Sequence, residues 1–300
     1  MDQRVRVMVE AYGAGRLSRR GFLDGTARIV GAGAAASLLV ACSGDEPDNL
    51  VASPSVTGQS PTAVGATVEE ELVEYTVEGG VAPGFVAWPS GGGPFPGVVV
   101  IQEWWGLDEH IKDVTRRVAM EGFVALAPDL YRGEVAREPS DARRLAMALV
   151  REQALADIQG AADYLASLPA VAPKQIGVMG FCMGGALAMQ MAYKGREIGA
   201  SVVFYGGGVQ PTDDELRAIS APILGLYGEA DGGIPVELVR EWGAKLAAFN
   251  KTGEMVIYPD APHAFFNDTR ASFRPEAAAD AWRRTISWLR THLGHVDGSA

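Results

Sequence analysis

The sequence predicts an α/β protein built on a mostly parallel central sheet with helices on both faces. Three observations carry this expectation. Gly97-Val98-Val99-Val100-Ile101 is continuously apolar and mostly β-branched, the pattern of a strand buried on both faces. Strand-like and helix-like segments alternate from about residue 97 onward, as parallel strands joined by helical crossovers require. The 300-residue chain is 48% hydrophobic and 21% charged, enough to bury a sizeable core.

Taken in order, Leu72–Val77 and Val81–Trp88 alternate around Gly79-Gly80 and read as a hairpin. The buried strand at 97–101 follows. Asp108–Met120 has helical spacing, with Ile111, Val114, Val118 and Ala119 on one face. Phe123–Ala127 is the next strand, stopped by Pro128. Asp141–Leu168 is helical, as one helix or two. Ile176–Met179, Ser201–Tyr205, Ile223–Tyr227 and Met255–Tyr258 read as further strands. Gly184–Tyr193, Pro235–Phe249 and Pro275–His292 read as helices. Neither an internal repeat nor a second domain is apparent.

Residues 1–41 stand apart from this pattern. Ser18-Arg19-Arg20-Gly21-Phe22-Leu23 resembles a twin-arginine export signal. A Gly/Ala-rich apolar run from about Ala27 to Val40 follows, too short for a good membrane-spanning helix. Leu39-Val40-Ala41-Cys42 resembles a bacterial lipobox, which implies cleavage before Cys42 and lipid on its sulfur. Residues 42–66 are rich in Ser, Gly, Pro and Thr and read as a flexible tether. The expectation is an exported protein whose domain, 67–300, is held by a lipid anchor. It would lie at the outer face of the cytoplasmic membrane or on the periplasmic side.

The formal net charge of −11 argues against nucleic acid as a partner, since phosphate binding needs clustered positive charge. With two cysteines, Cys42 and Cys182, there is no disulfide framework. No Cys/His spacing for zinc and no Gly-rich phosphate loop is present, so neither metal nor cofactor is expected.

The sharpest motif is Gly180-Phe181-Cys182-Met183-Gly184-Gly185, between a predicted strand and a predicted helix. This is the nucleophile-elbow pattern with Cys in place of Ser. The turn is tight, so glycines flank it, and it lifts the nucleophile above a helix N-terminus. Helix-end amides favour a thiolate and then an oxyanion, the Met183 amide first among them. A lone cysteine is often a buried structural residue. The glycines and the strand–turn–helix context favour the nucleophile reading here.

Elbow hydrolases place nucleophile, acid and base in that chain order. Asp231 falls in the loop after Ile223–Tyr227, and His263 in the loop after Met255–Tyr258. Glu229 and Asp260 are lesser candidates for the acid. Of the four histidines, His110 starts a helix, while His292 and His295 fall in the closing helix and tail. Trp104 and Trp105 are candidates to line an acyl or aromatic pocket, or else to cap the core beside the sheet.

Residues from about 69 to 292 resemble the dienelactone hydrolase family, within the α/β-hydrolase fold. The matching segments are Gln102-Glu103-Trp104-Trp105-Gly106-Leu107, Ala127-Pro128-Asp129-Leu130-Tyr131, the elbow, the Asp231 loop and His263-Ala264-Phe265. The resemblance implies a cofactor-independent lactone or ester hydrolase with Cys182, Asp231 and His263 as triad. It implies a glutamate, Glu103, against the resting thiol, and a second oxyanion donor near Glu103 and Trp104. Trp105, Arg132 and Phe265 are the expected substrate contacts. One departure stands out. The family carries an arginine just after the histidine loop, whereas here Phe265-Phe266-Asn267-Asp268 follows and Arg270 is the first arginine. A substrate carboxylate would therefore be held differently.

The expected partner is a small-molecule ester or lactone, and a monomer is expected. Alternatives are a general carboxylesterase or thioesterase on the same triad, or a lipid-anchored binding protein on a hydrolase fold. A redox-sensing thiol lacks a resolving partner, because Cys42 is expected to be acylated.

Overall fold

The computed structural model describes residues 67–294. The export signal, Cys42 and the tether read from the sequence lie outside the described residues, as does His295. Strands β1 (Val68–Val77) and β2 (Gly80–Pro89) form the antiparallel hairpin. It starts four residues before the apolar alternation does. Glu69, Glu70 and Glu71 stand exposed on the edge strand, so no hydrophobic signal marks its beginning.

The remaining strands are β3 (Gly97–Ile101), β4 (Val124–Pro128), β5 (Ile176–Phe181), β6 (Ile198–Phe204), β7 (Ile223–Gly228) and β8 (Gly253–Tyr258). Together they make one eight-stranded sheet in the order β1-β2-β4-β3-β5-β6-β7-β8. Only the β1–β2 and β2–β4 pairings are antiparallel; every pairing from β4–β3 onward is parallel. Every residue of β3, β4 and β5 is buried, which is why these strands read as unbroken apolar runs.

The helices are α1 (Glu109–Met120), α2 (Pro139–Ala148), α3 (Arg151–Ser167), α4 (Met183–Lys194), α5 (Asp213–Ala218), α6 (Val236–Ala248) and α7 (Pro275–Leu293). They cover both faces of the sheet. The Asp108 side chain caps α1 by accepting from the Ile111 amide at 3.1 Å. The stretch at 141–168 is two helices, α2 and α3, separated by extended backbone at Leu149 and Val150. Helix α5 has no counterpart in the apolar periodicity. It is too short to show any, and it announces itself only through the Thr212–Glu215 capping box.

Parallel register brings the chemistry to one edge. Ile101 pairs with Gly180, Phe181 with Phe204, and Gly228 with Tyr258. The segments that follow these strands therefore leave the sheet on the same side. They carry Glu103, Cys182, Tyr205, Asp231 and His263.

Candidate active site

Cys182 stands between β5 and α4 with φ 54° and ψ −113°. A non-glycine residue held there is strained by about 1–3 kcal/mol, which the surrounding packing must offset. The packing is visible. A Cβ on Gly180 would collide with the Gly184 carbonyl oxygen, and one on Gly184 with the carbonyls of Gln102 and Ile101. The elbow backbone therefore touches both itself and the loop after β3. Two hydrogen bonds pin it further: the Cys182 amide donates to Phe204 O at 3.0 Å, and the Ala186 amide donates to Cys182 O at 3.1 Å.

Asp231 and His263 come together as their order along the chain predicts. His263 Nδ1 lies 2.6 Å from Asp231 Oδ2, while the Gly233 amide donates to Oδ1 at 2.9 Å. The Asp231 side chain is sealed at 2% exposure and the imidazole is open at 41%. Burial pushes the Asp231 carboxyl up, but His263 and the loop amides outweigh it, so the group ends below its ordinary value. Burial pulls the imidazole down. Its Asp231 hydrogen bond, then the adjacent Cys182 thiol, reverse this and lift it to about 10. Glu229 and Asp260, the competing acids, form no hydrogen bond to His263 among the described residues.

The Glu103 carboxylate is held from two sides: Oε1 accepts from Tyr205 Oη at 3.3 Å and Oε2 from Asn267 Nδ2 at 2.8 Å. Tyr205 also sets its ring edge-on to His263, centroids 5.1 Å apart. Neither Tyr205 nor Asn267 was picked out from the sequence. A tyrosine ending an apolar strand and an asparagine inside Phe265-Phe266-Asn267 read as core and loop residues. Only the burial of Asn267 beside a buried carboxylate reveals its role.

Among the described residues the Trp104 amide has no acceptor. The Met183 amide opens α4, where helix N–H groups lack an intrahelical partner, and no side chain caps it. Tyr131 Oη lies 3.4 Å from Met183 Sδ, which closes the site on another side. The half-buried Trp104 and Trp105 rings meet edge-on at 5.2 Å, and the Arg270 guanidinium sits 3.9 Å over Trp105. One face of Trp105 is thus already covered.

Two expected substrate contacts take other roles. Phe265 is fully buried and packs on Tyr205 and Tyr258, so it presents no surface to a ligand. Arg132 donates to Asp157 Oδ2 at 2.7 Å and to the Asp129 carbonyl at 2.9 Å. Its charge is engaged by a carboxylate that is 2% exposed.

Two crevices lie apart from the triad. One of about 310 Å³ runs between Met189, Leu216, Trp242 and Met255, and another of about 470 Å³ between Phe95, Glu121 and Arg290. Neither is lined by Cys182, Asp231 or His263. Among the described residues no group of three His, Cys, Asp or Glu side chains is placed to hold a metal ion.

Residues 82–293 match the model of the dienelactone hydrolase family. A protein of Methylorubrum extorquens is 36% identical over 234 residues, covering 73% of this chain and 80% of the relative. One from Escherichia coli K12 is 34% identical over 268 residues, covering 80% and 98%. Both carry the name "Putative carboxymethylenebutenolidase". A crystal structure from Klebsiella pneumoniae, described as a "Putative Dienelactone Hydrolase", superposes with a TM-score of 0.69 at 34% identity. It covers 74% of this chain and 98% of its own. The chain belongs to the dienelactone hydrolase family and is a carboxylic ester hydrolase of the α/β-hydrolase fold.

Proposed function

We propose that the chain cleaves a lactone or carboxylic ester through Cys182, Asp231 and His263, with no cofactor. The observation that carries this reading is the 2.6 Å contact between His263 and Asp231, with the imidazole beside a thiol on a strained elbow. A free thiol has a pKa of about 8.5, so a base must take its proton near neutral pH. His263, raised to about 10, holds that proton as an imidazolium, which Asp231 stabilises.

The Cys182 sulfur then forms a bond to the carbonyl carbon. The amides of Met183 and Trp104 hold the oxyanion. Collapse breaks the ester C–O bond, and the leaving oxygen takes its proton from His263. Water, deprotonated by His263, attacks the thioester and releases the acid and the thiol. Thiolate is itself a good leaving group. The intermediate therefore partitions forward best when the departing oxygen is a stabilised enolate, as in an enol lactone. Ordinary alkyl esters and thioesters on the same triad are the second reading.

We further read residues 1–41 as an export signal cleaved before Cys42, whose lipidated sulfur would tether this activity outside the cytoplasm. Incubation with p-nitrophenyl acetate, acid quench and peptide mass spectrometry test the thioester step. An acetyl increment on the Cys182 peptide, absent in His263→Ala, supports covalent catalysis. Turnover with the increment elsewhere, or with none under burst conditions, refutes it.

A further inference from the structure

Little of helix α2 is buried. Of its residues, Pro139–Ala148, only Ala142 and Leu145 are covered. Ser140, Arg143, Arg144 and Met147 follow the i, i+3, i+4, i+7 spacing, so they share the face turned away from those two. Glu138 and Asp141, four residues before Ala142 and Leu145, fall beside the buried edge instead. Met147 is 76% exposed, and Val150 and Val135, which flank the helix, are 61% and 46% exposed. One exposed apolar side chain is ordinary. These three are half of the six large apolar residues exposed among the described residues, and they fall within a stretch of sixteen. The Arg144–Glu134 ion pair at 3.1 Å joins the helix face to the loop that carries Val135.

The same stretch holds positive charge that is not neutralised locally. Among the described residues Arg137, Arg143 and Arg151 pair with no carboxylate, on a chain whose formal net charge is −11. Apolar side chains flanked by arginines suit the interface of an anionic bilayer. The apolar groups enter the acyl boundary while the guanidinium groups stay at the phosphates.

We infer that the outward face of α2, with Val135 and Val150, docks on an anionic phospholipid surface. The inference rests on Cys42 being the lipidated residue, which brings the domain to a bilayer without choosing the face it presents. Twenty-four residues separate Cys42 from Thr67, a contour of at most about 90 Å. A domain of this size has a radius of gyration of about 17 Å, so every face can reach the lipid. Docking through α2 sets the rim of the candidate active site at the bilayer. The Ala136 amide donates to the Trp105 carbonyl at 2.8 Å, and a Cβ on Gly106 would collide with the Glu134 carbonyl oxygen. The loop before α2 therefore lies against the turn that carries Trp104 and Trp105.

The test is amide hydrogen exchange of the full chain, alone and with vesicles of phosphatidylcholine or of phosphatidylcholine with phosphatidylglycerol. The mass of the Cys42 peptide is measured on the same sample. Peptides spanning 135–151 are expected to exchange at least about fivefold more slowly on the phosphatidylglycerol vesicles, with less slowing at high salt. Met147→Asp combined with Val150→Asp should abolish the slowing. The thermal midpoint and the hydrolysis of p-nitrophenyl acetate in solution should not change in this variant. Slowing that survives the double variant, or sedimentation with vesicles and no slowing at 135–151, overturns the inference and leaves the anchor standing. Slowing that appears without vesicles and grows with protein concentration assigns the face to a second copy of the chain, and overturns it as well. Slowing on vesicles by a chain whose Cys42 peptide carries no lipid mass refutes the anchor and supports the docking face.

Discussion

His263 Nδ1 lies 2.6 Å from Asp231 Oδ2, and the two side chains come from loops after neighbouring strands β8 and β7. The contact holds the ring so that its other nitrogen is free for the thiol. Replacing Asp231 with Asn keeps the shape and removes the charge that stabilises the imidazolium. The expected loss in kcat is about 10³–10⁴-fold, measured on an activated ester. A loss under tenfold would mean that Asp231 does not orient the base.

The same contact predicts a pH dependence of stability. The His263 value is raised from 6.5 to about 10 in the folded chain. A raised value means that the stabilisation is fully present below about 6.5 and is lost as pH rises through about 10. Denaturant unfolding of wild type and His263→Gln across this range should show a difference that is largest on the acid side and shrinks upward. Because Cys182 contributes to the lift, Cys182→Ala should lower the His263 midpoint followed by NMR. A gap that widens with rising pH contradicts this account.

Gly184 has backbone, not side chains, where a Cβ would go. Backbone carbonyls on a buried sheet cannot swing aside. Gly184→Ala should cost roughly 2–3 kcal/mol and displace the loop after β3 from the elbow. Thermal unfolding and the rate of Cys182 alkylation check both effects together.

Arg132 is expected to matter for stability rather than for substrate. Its removal leaves the Asp157 carboxylate with only Gln153 Nε2, at 3.0 Å, as a side-chain donor. Arg132→Gln should destabilise the fold by about 1–3 kcal/mol. KM for a carboxylate-bearing ester should not change more than that for a neutral one. A selective rise in KM for the anionic ester would return Arg132 to the substrate site.

The strands β3 to β5 were legible because burial on both faces leaves an unbroken apolar run. The elbow was legible because its steric demand is written as glycines. Asp231 and His263 followed from chain order, and the structure sets them in contact. Glu103 and Phe265 were legible as residues near the site, but not in what they touch. Their partners, Tyr205, Asn267 and Tyr258, arrive from other strands and loops, and spacing along the chain carries no information about them. The start of β1 and helix α5 escaped for a different reason: neither buries enough apolar surface to leave a periodic trace.

The measurement closest to the central claim is hydrolysis of an enol lactone and of p-nitrophenyl acetate by the full chain, beside Cys182→Ala. The account predicts turnover by wild type, preference for the enol lactone, and loss of both activities in the variant. Equal turnover by wild type and Cys182→Ala on either ester would contradict it.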